Sequence, residues 1–193
     1  RERRLSLARD RIGEKPLYWG WAGRALVFGS ELKALRKHPN FPRDVCRQAV
    51  AQYLRFSYVP APRRIHPGVY KLEPGCILTV HGAPPPASPN VPLRPGESCG
   101  ALSIRRYWSL NELIDSGAQA CFDTEAEALA ALEGALRRVV GRQMIADVPL
   151  GAFLSGGIDS SLIVALMQAQ SSRPVRTFTV GFENPAFNEA PYA

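Results

Sequence analysis

The stretch that most constrains the fold of this chain is residues 148–161, VPLGAFLSGGIDSS. Its first half is an apolar run with little alternation, which predicts a strand buried on both faces of a sheet. Ser155, Gly156 and Gly157 follow as a turn, and the glycines allow backbone N–H groups to approach a ligand closely. A helix is predicted directly after the turn. Because a helix N-terminus behind such a turn attracts anions, the stretch predicts an anion-binding strand–turn–helix unit.

The turn differs from a Walker A loop, because no lysine follows Gly157. The Ser-Gly-Gly-x-Asp-Ser pattern resembles instead the PP-loop of ATP pyrophosphatases, which holds the β- and γ-phosphates as a leaving pyrophosphate. In that interpretation Asp159 is placed to bind Mg²⁺ that bridges the phosphate oxygens. The alternative is a plain glycine turn between strand and helix, with Asp159 and Ser160 as helix caps.

Composition argues against several classes of protein. The chain has 193 residues, enough for one large or two small domains, and no apolar run approaches the roughly 18–20 residues of a membrane span. The net charge of +7 comes from scattered arginines without interleaved aromatic residues, so we expect no nucleic-acid partner. The cysteines show no zinc-ligand spacing, which predicts unpaired thiols in a reducing cytoplasm; they are Cys46, Cys76, Cys99 and Cys121. The missing initial Met leads us to expect an excerpt from a longer protein.

The first part of the chain is predicted to be mainly β-structure. Short runs of β-forming residues predict strands at Arg4–Ala8, Pro16–Trp21, Ala25–Gly29, Val69–Leu72 and Cys76–Val80. Two helices are predicted between the third and fourth strands, one capped by Ser30 and ended by Pro39, the other capped by Asp44 and reaching about Phe56.

Residues 82–100 form a Pro-rich loop. Six prolines in 19 residues exclude a helix or a central strand, so a surface loop or linker without a function of its own is predicted. Ordered structure is expected to resume at Arg105–Trp108, and Ser109–Gly117 is predicted to be a connection.

A second unit is predicted to begin near Asp123. Thr124 and Glu127 match a capping box, and apolar residues at helical spacing continue to about Ile145. With the central strand, its helix and a further strand in residues 175–182, the order helix–strand–helix–strand indicates a parallel α/β sheet. Ligands bind such sheets at the carboxyl ends of strands, where Leu154 and Val180 are both expected.

Several ordered blocks are similar to the glutamine-hydrolysing asparagine synthetase family. They are ARDRIGEKPLYWG, GSELKAL, YVPAP, VYKLEPG, RYW, DVPLGAFLSGGIDSS and TFTVGFENPAFNEAPYA, and together they cover most of the chain. The resemblance implies an α/β protein with two partial domains. Residues 1–122, with the Pro-rich loop and a linker, would be the C-terminal part of an N-terminal-nucleophile αββα glutaminase domain. Residues 123–193 would begin a parallel-sheet PP-loop ATP pyrophosphatase domain.

The resemblance also implies a reaction. ATP activates the side-chain carboxylate of L-aspartate as an aspartyl-adenylate, and ammonia from L-glutamine displaces AMP to give L-asparagine. The implied cofactors are ATP and Mg²⁺, and the implied small-molecule partners are aspartate and glutamine. No membrane partner is expected. The resemblance implies a cytoplasmic location and leaves a homodimer as an open alternative. The family's glutaminase nucleophile is an N-terminal cysteine, and none of the four cysteines occupies that place. We therefore expect this stretch alone to lack glutaminase activity and to leave apolar faces exposed.

The resemblance assigns site residues by position. Leu154 and Val180 match residues that contact adenine, although both could equally be plain core residues of their strands. The pyrophosphate loop corresponds to Ser155, Gly156, Gly157, Asp159 and Ser160, with Asp159 as the metal ligand. Arg9, Asp10 and Lys15 look structural and are left out of the site. Two alternatives remain: an amidotransferase or β-lactam synthetase-like ligase acting on another carboxylate, and a non-catalytic nucleotide-binding protein.

Overall fold

A computed structural model describes residues 3–89, 91–118 and 120–193. The chain divides into two compact units, Arg1–Gln119 and Ala120–Ala193. The strands are β1 Arg4–Ala8, β2 Tyr18–Ala22, β3 Ala25–Gly29, β4 Val69–Lys71, β5 Cys76–His81, β6 Ser98–Cys99, β7 Leu102–Arg106, β8 Gly151–Phe153 and β9 Arg176–Phe178. The helices are α1 Leu32–Leu35, α2 Arg47–Phe56, α3 Leu110–Gly117, α4 Glu125–Gln143 and α5 Ile158–Gln168. No helix in the described ranges is long and apolar enough to cross a membrane.

The first unit contains two antiparallel sheets. One has the strand order β1-β5-β7-β6 and the other β3-β2-β4. In the first sheet Leu78 is opposite both Leu7 and Ile104, and in the second Trp19 is opposite Tyr70. All five side chains belong to one buried cluster, so the two sheets share a hydrophobic core. The predicted α/β class is thus observed, and the detailed N-terminal-nucleophile architecture stays a prediction.

The Pro-rich loop is tied to this core by side-chain donors of the second sheet. The indole Nε1 of Trp21 donates to the carbonyl oxygen of Pro85 at 2.8 Å, and the Tyr70 hydroxyl donates to the carbonyl oxygen of Pro89. Leu93 is buried within the shared core. The end of the loop also contains the short strand β6, which pairs with β7. Prolines lack an N–H donor, but their carbonyls accept normally, so the segment is anchored without regular structure over most of its length.

The predicted caps of the first two helices are wrong. The N-cap of α1 is Glu31 rather than Ser30, and the N-cap of α2 is Cys46 rather than Asp44. The Cys46 backbone N–H donates to Ile65 O at 2.9 Å, and Nδ1 of His66 lies 2.9 Å from Asp44 O. These contacts hold the chain before α2 against the segment around His66, so the helix begins two residues later than the cap preference predicts.

The predicted connection at Ser109–Gly117 is also wrong, because most of it is helix α3. The missed signal is the spacing of Leu110, Leu113 and Ile114, which places three apolar side chains on one helical face. The signal is weak because the helix has only eight residues and none of them is buried.

The second unit confirms the predicted order of helix, strand, helix and strand. Thr124 Oγ1 accepts from Glu127 N–H at 3.2 Å, as a capping box requires. Strands β8 and β9 pair in parallel, with Ala152 opposite Thr177. Helices α4 and α5 pack through a buried cluster of Val140, Leu166 and Met167.

The central strand, however, is not buried on both faces. It extends only over Gly151–Phe153, and the Phe153 side chain is 77% exposed. Ala152 packs against the helical cluster while its two neighbours are exposed. The described residues cover this strand on one face alone, so its burial alternates although its sequence is continuously apolar.

Candidate functional site

The candidate site lies where β8 and β9 end. The Leu154 N–H donates to Phe178 O at 2.9 Å, which extends the parallel pairing by one residue. The Thr179 hydroxyl then donates to Leu154 O at 2.8 Å. These two bonds hold the carboxyl ends of the strands side by side, so Leu154 and Val180 both lie at the same edge of the sheet. Leu154 is half-buried and Val180 is exposed.

The turn after β8 is held together by its two serines. Ser155 Oγ and Ser160 Oγ lie 2.9 Å apart, and the Ser160 hydroxyl also accepts from Ser155 N–H at 3.2 Å. Ser160 Oγ is 3.2 Å from the Gly157 carbonyl oxygen, and the Gly157 N–H donates to Ser155 Oγ at 3.4 Å. The hydroxyl groups thus bridge the strand end and the first turn of α5, and the turn is closed around its own backbone.

Gly156 is required in this turn for two reasons. Its φ is +77°, a region that favours glycine. A Cβ at this position would also overlap the backbone of Tyr192, which lies against the turn. Gly157 has no such restriction, since its φ is −75° and the nearest atom to an added Cβ would be Ser155 Oγ at 3.4 Å.

Helix α5 presents uncapped N–H groups at this turn. Its N-cap is Gly157, and no side chain caps it. The first helical hydrogen bond runs from Ser161 N–H to Gly157 O at 3.1 Å, so the N–H groups of Ile158, Asp159 and Ser160 precede any helical acceptor. Together with the helix dipole, these donors give the N-terminus of α5 the positive potential that an anion requires.

Asp159 lies exposed on the first turn of α5. It makes no capping bond to the helix, and this disfavours its interpretation as a cap. Within the described ranges no group of three or more His, Cys, Asp and Glu side chains could hold a metal ion. A lone carboxylate is still compatible with Mg²⁺ in general, because proteins commonly hold this ion by one or two carboxylates together with phosphate oxygens of a ligand.

Thr179 is a residue of the candidate site that sequence reasoning missed. Its hydroxyl joins the two strand ends, but in the sequence it looks like an ordinary β-branched strand residue. The available signal was its place directly before Val180 at a strand end.

Arg9 and Asp10, left out of the site, have structural roles in the first unit. Three nitrogens of the Arg9 guanidinium donate to the carbonyls of Lys15, Leu72 and Gly13. The Asp10 carboxylate accepts from three backbone N–H groups, those of Gly13, Glu14 and Lys15. Desolvation acts to raise the pKa of Asp10, but these donors together with the charge of Arg9 bring the pKa below its ordinary value.

Two family models match the two ends of the chain. Residues 1–85 match the glutamine amidotransferase domain, and residues 131–193 match asparagine synthase. The first match lies in the unit with two antiparallel sheets, and the second contains the Ser-Gly-Gly turn.

Individual relatives match nearly the whole chain. Asparagine synthetase [glutamine-hydrolyzing] 1 of Bacillus subtilis is 34% identical over 188 residues, which is 96% of this chain and 26% of the relative. Asparagine synthetase [glutamine-hydrolyzing] 3 of the same organism is 28% identical, over 93% of this chain and 26% of the relative. A protein of Methanocaldococcus jannaschii, provisionally assigned the same activity, is 31% identical over 96% of this chain and 32% of its own length. The chain spans about a quarter to a third of these relatives, and its similarity to glutamine-hydrolysing asparagine synthetases is the one that the ordered motifs predict.

Proposed function

We propose that the protein containing this chain is an ATP-dependent ligase that forms an amide, converting L-aspartate, L-glutamine and ATP into L-asparagine, L-glutamate, AMP and pyrophosphate. The observation that carries the proposal is the turn 155–160 at the N-terminus of α5. Its three first-turn N–H groups lack helical acceptors, and it lies beside the joined ends of two parallel strands. The names of the relatives support the choice of reaction.

In this proposal the turn holds the departing pyrophosphate. Charge grows on the β- and γ-phosphates as the α-phosphate is attacked, and fixed N–H dipoles stabilise that charge without having to reorient. The hydroxyls of Ser155 and Ser160 keep the N–H groups in place through the 2.9 Å contact between them. Mg²⁺ held by Asp159 would supply further neutralisation of the phosphate oxygens.

Leu154 and Val180 are proposed to flank the adenine of ATP. Both lie at the strand ends that Thr179 joins, the edge at which open α/β sheets bind nucleotides. The half-buried Leu154 and the exposed Val180 offer apolar surface for a flat heterocycle. The free thiols of Cys46, Cys76 and Cys99 agree with a cytoplasmic reaction.

The test is to identify the nucleotide products of the complete natural protein. With aspartate, glutamine and ATP, we expect AMP and pyrophosphate in equal amounts with asparagine. ADP and phosphate as products would contradict the proposal, because a pyrophosphate-holding turn would then have no role. Pyrophosphate release that requires a different carboxylic acid would retain the turn's role and replace aspartate as the acceptor. Nucleotide binding without turnover of any carboxylic acid would favour a non-catalytic binding protein.

A further inference from the structure

A cavity of about 300 Å³ lies in the first unit, and its lining residues are all far from the Ser-Gly-Gly turn along the chain. It is bounded by the start of α2, by residues 62–64 and by residues 91–94 of the Pro-rich loop. Arg63, Arg64 and Arg94 line it, and none of its described lining residues carries a carboxylate. We infer that this cavity binds a small organic anion through a carboxylate or phosphate group.

Arg64 gives the strongest evidence. Its Nη1 is buried and has no hydrogen-bond partner among the described residues. Its Cζ lies 4.5 Å from the centre of the Tyr70 ring, and this cation–π contact helps to hold the guanidinium group in place. A buried N–H donor without an acceptor costs free energy, and an oxyanion in the cavity would supply the acceptor. The planar guanidinium suits both carboxylate and phosphate, since either can accept two parallel bonds.

The surrounding charges reinforce this preference. In the described part of the chain, ion pairs join Lys33 to Glu31, Arg106 to Glu73 and Arg137 to Glu133, so none neutralises an arginine of the cavity. The nearby carboxylate of Glu97 accepts from the Arg94 backbone N–H at 2.8 Å, but it does not line the cavity. Cys46, the N-cap of α2, makes no side-chain capping bond, so the positive end of the helix dipole adds to the arginine charges.

The remaining lining indicates an organic ligand. Apolar side chains form much of the wall, among them Ala49, Pro62, Val91 and Pro92. The volume is at the lower end of the range of small-molecule sites and exceeds what a bare inorganic ion fills. A compact molecule with one or two oxyanion groups and a short carbon chain fits both the charge and the volume.

Calorimetric titration of the protein with inorganic phosphate, and separately with succinate, tests the inference. We expect saturable binding of at least one probe, and the tighter probe identifies the preferred group. Arg64→Gln and Arg94→Gln should each weaken that binding by about tenfold or more, since each removes a charge-assisted hydrogen bond. Arg64→Lys should lie between the native protein and Arg64→Gln, because it keeps the charge and loses the planar fork.

Arg43→Gln is the matched control. Arg43 belongs to a separate basic group with Lys33, Arg36 and Lys37, so its replacement makes the same change in net charge outside the cavity. An equal loss of binding in Arg43→Gln would show diffuse attraction to a basic surface and would overturn the inference. The absence of saturable binding by both probes would overturn it as well.

Alkylation of Cys46 provides a readout that needs no arginine variant. Cys46 lines the cavity, whereas Cys99 is exposed outside it. A bound probe should slow the alkylation of Cys46 and leave that of Cys99 unchanged, as measured by peptide mapping. Equal rates at Cys46 with and without a probe that binds by calorimetry would place that probe elsewhere and would refute the inference.

Discussion

At the scale of single residues, Asp159 separates two explanations of the Ser-Gly-Gly turn. If Asp159 binds Mg²⁺, its negative charge is what the reaction needs. If it caps helix α5, its hydrogen bonds to the backbone are what the fold needs. Helix α5 has Gly157 as its N-cap and no side-chain capping bond, so Asp159 has no capping bond to lose. Its stabilising effect on the fold is limited to its charge near the positive end of the helix dipole, about 0.3–1 kcal/mol.

We therefore expect Asp159→Asn to lower the rate of pyrophosphate release from the complete protein by about 10²-fold or more. The melting temperature should change little, because the dipole term alone is lost. Asp159→Ala should behave in the same way in both measurements. Full pyrophosphate release by Asp159→Asn would contradict the catalytic role, and a marked fall in melting temperature for the Ala variant alone would restore the capping explanation.

A second prediction concerns pH and Asp10. The pKa of its carboxyl lies below the ordinary value of 3.8, so the folded state favours the charged form. The charged carboxylate therefore stabilises the fold at pH values above the pKa that Asp10 has in the unfolded chain. This stabilisation is lost as the pH falls through the lower pKa that Asp10 has in the folded protein. We expect Asp10→Asn to lower the melting temperature at pH 7, with the difference from the native protein shrinking toward zero at acidic pH.

Glu14→Gln is the control for this prediction. It removes one negative charge from the same loop, but the hydrogen bonds to Asp10 come from backbone N–H groups and remain. A pH-dependent loss of equal size in Glu14→Gln would attribute the effect to net charge instead of to the Asp10 contacts.

At the scale of secondary structure, the cap of α4 is the clearest case in which sequence and structure agree. The Thr124 hydroxyl oxygen accepts from Glu127 N–H, and helix α4 begins at Glu125, directly after Thr124, as the capping box predicts. We expect Thr124→Ala to lower the free energy of unfolding of the second unit by about 1 kcal/mol, measured by urea denaturation. Thr124→Ser retains the hydroxyl and should lose much less. Equal losses would point to the methyl group instead of the cap.

Other elements could not be predicted from the sequence, for reasons that differ. The start of α2 depends on contacts with Ile65 and His66, which are distant in sequence and override the local preference of Asp44. The apolar pattern of helix α3 covers too few residues to be distinguished from the sequence of a loop. The candidate turn was predictable because glycine conformation and helix N-terminal donors are local properties, whereas the hydroxyl of Thr179 joins Leu154 across 25 residues.

At the scale of the whole molecule, each unit has its own buried cluster. The chain's three tryptophans, Trp19, Trp21 and Trp108, all lie in the first unit. Within residues 1–193, tryptophan emission therefore reports on the first unit, while the long helices α4 and α5 contribute the second unit's circular dichroism.

We expect Gly156→Ala to lower the midpoint of urea unfolding seen by far-ultraviolet circular dichroism and to leave the tryptophan midpoint unchanged. Strained backbone of this kind costs about 1–3 kcal/mol, and the new methyl group also meets the Tyr192 backbone. Gly157→Ala makes the same chemical change at an unstrained φ and should shift neither midpoint by a comparable amount. A common shift of both midpoints in Gly156→Ala would show that the two units unfold as one.

The anchoring of the Pro-rich loop determines how its ordering can be observed by hydrogen exchange. Six of its 19 residues are prolines and carry no amide proton, so backbone exchange cannot sample those positions, and residues 84–86 form an unbroken gap. The indole proton of Trp21 instead forms the hydrogen bond to Pro85. Its exchange rate reports opening of the loop at Pro85 directly, so a single side-chain resonance can follow residues 84–86, where the amide spectrum has no signal.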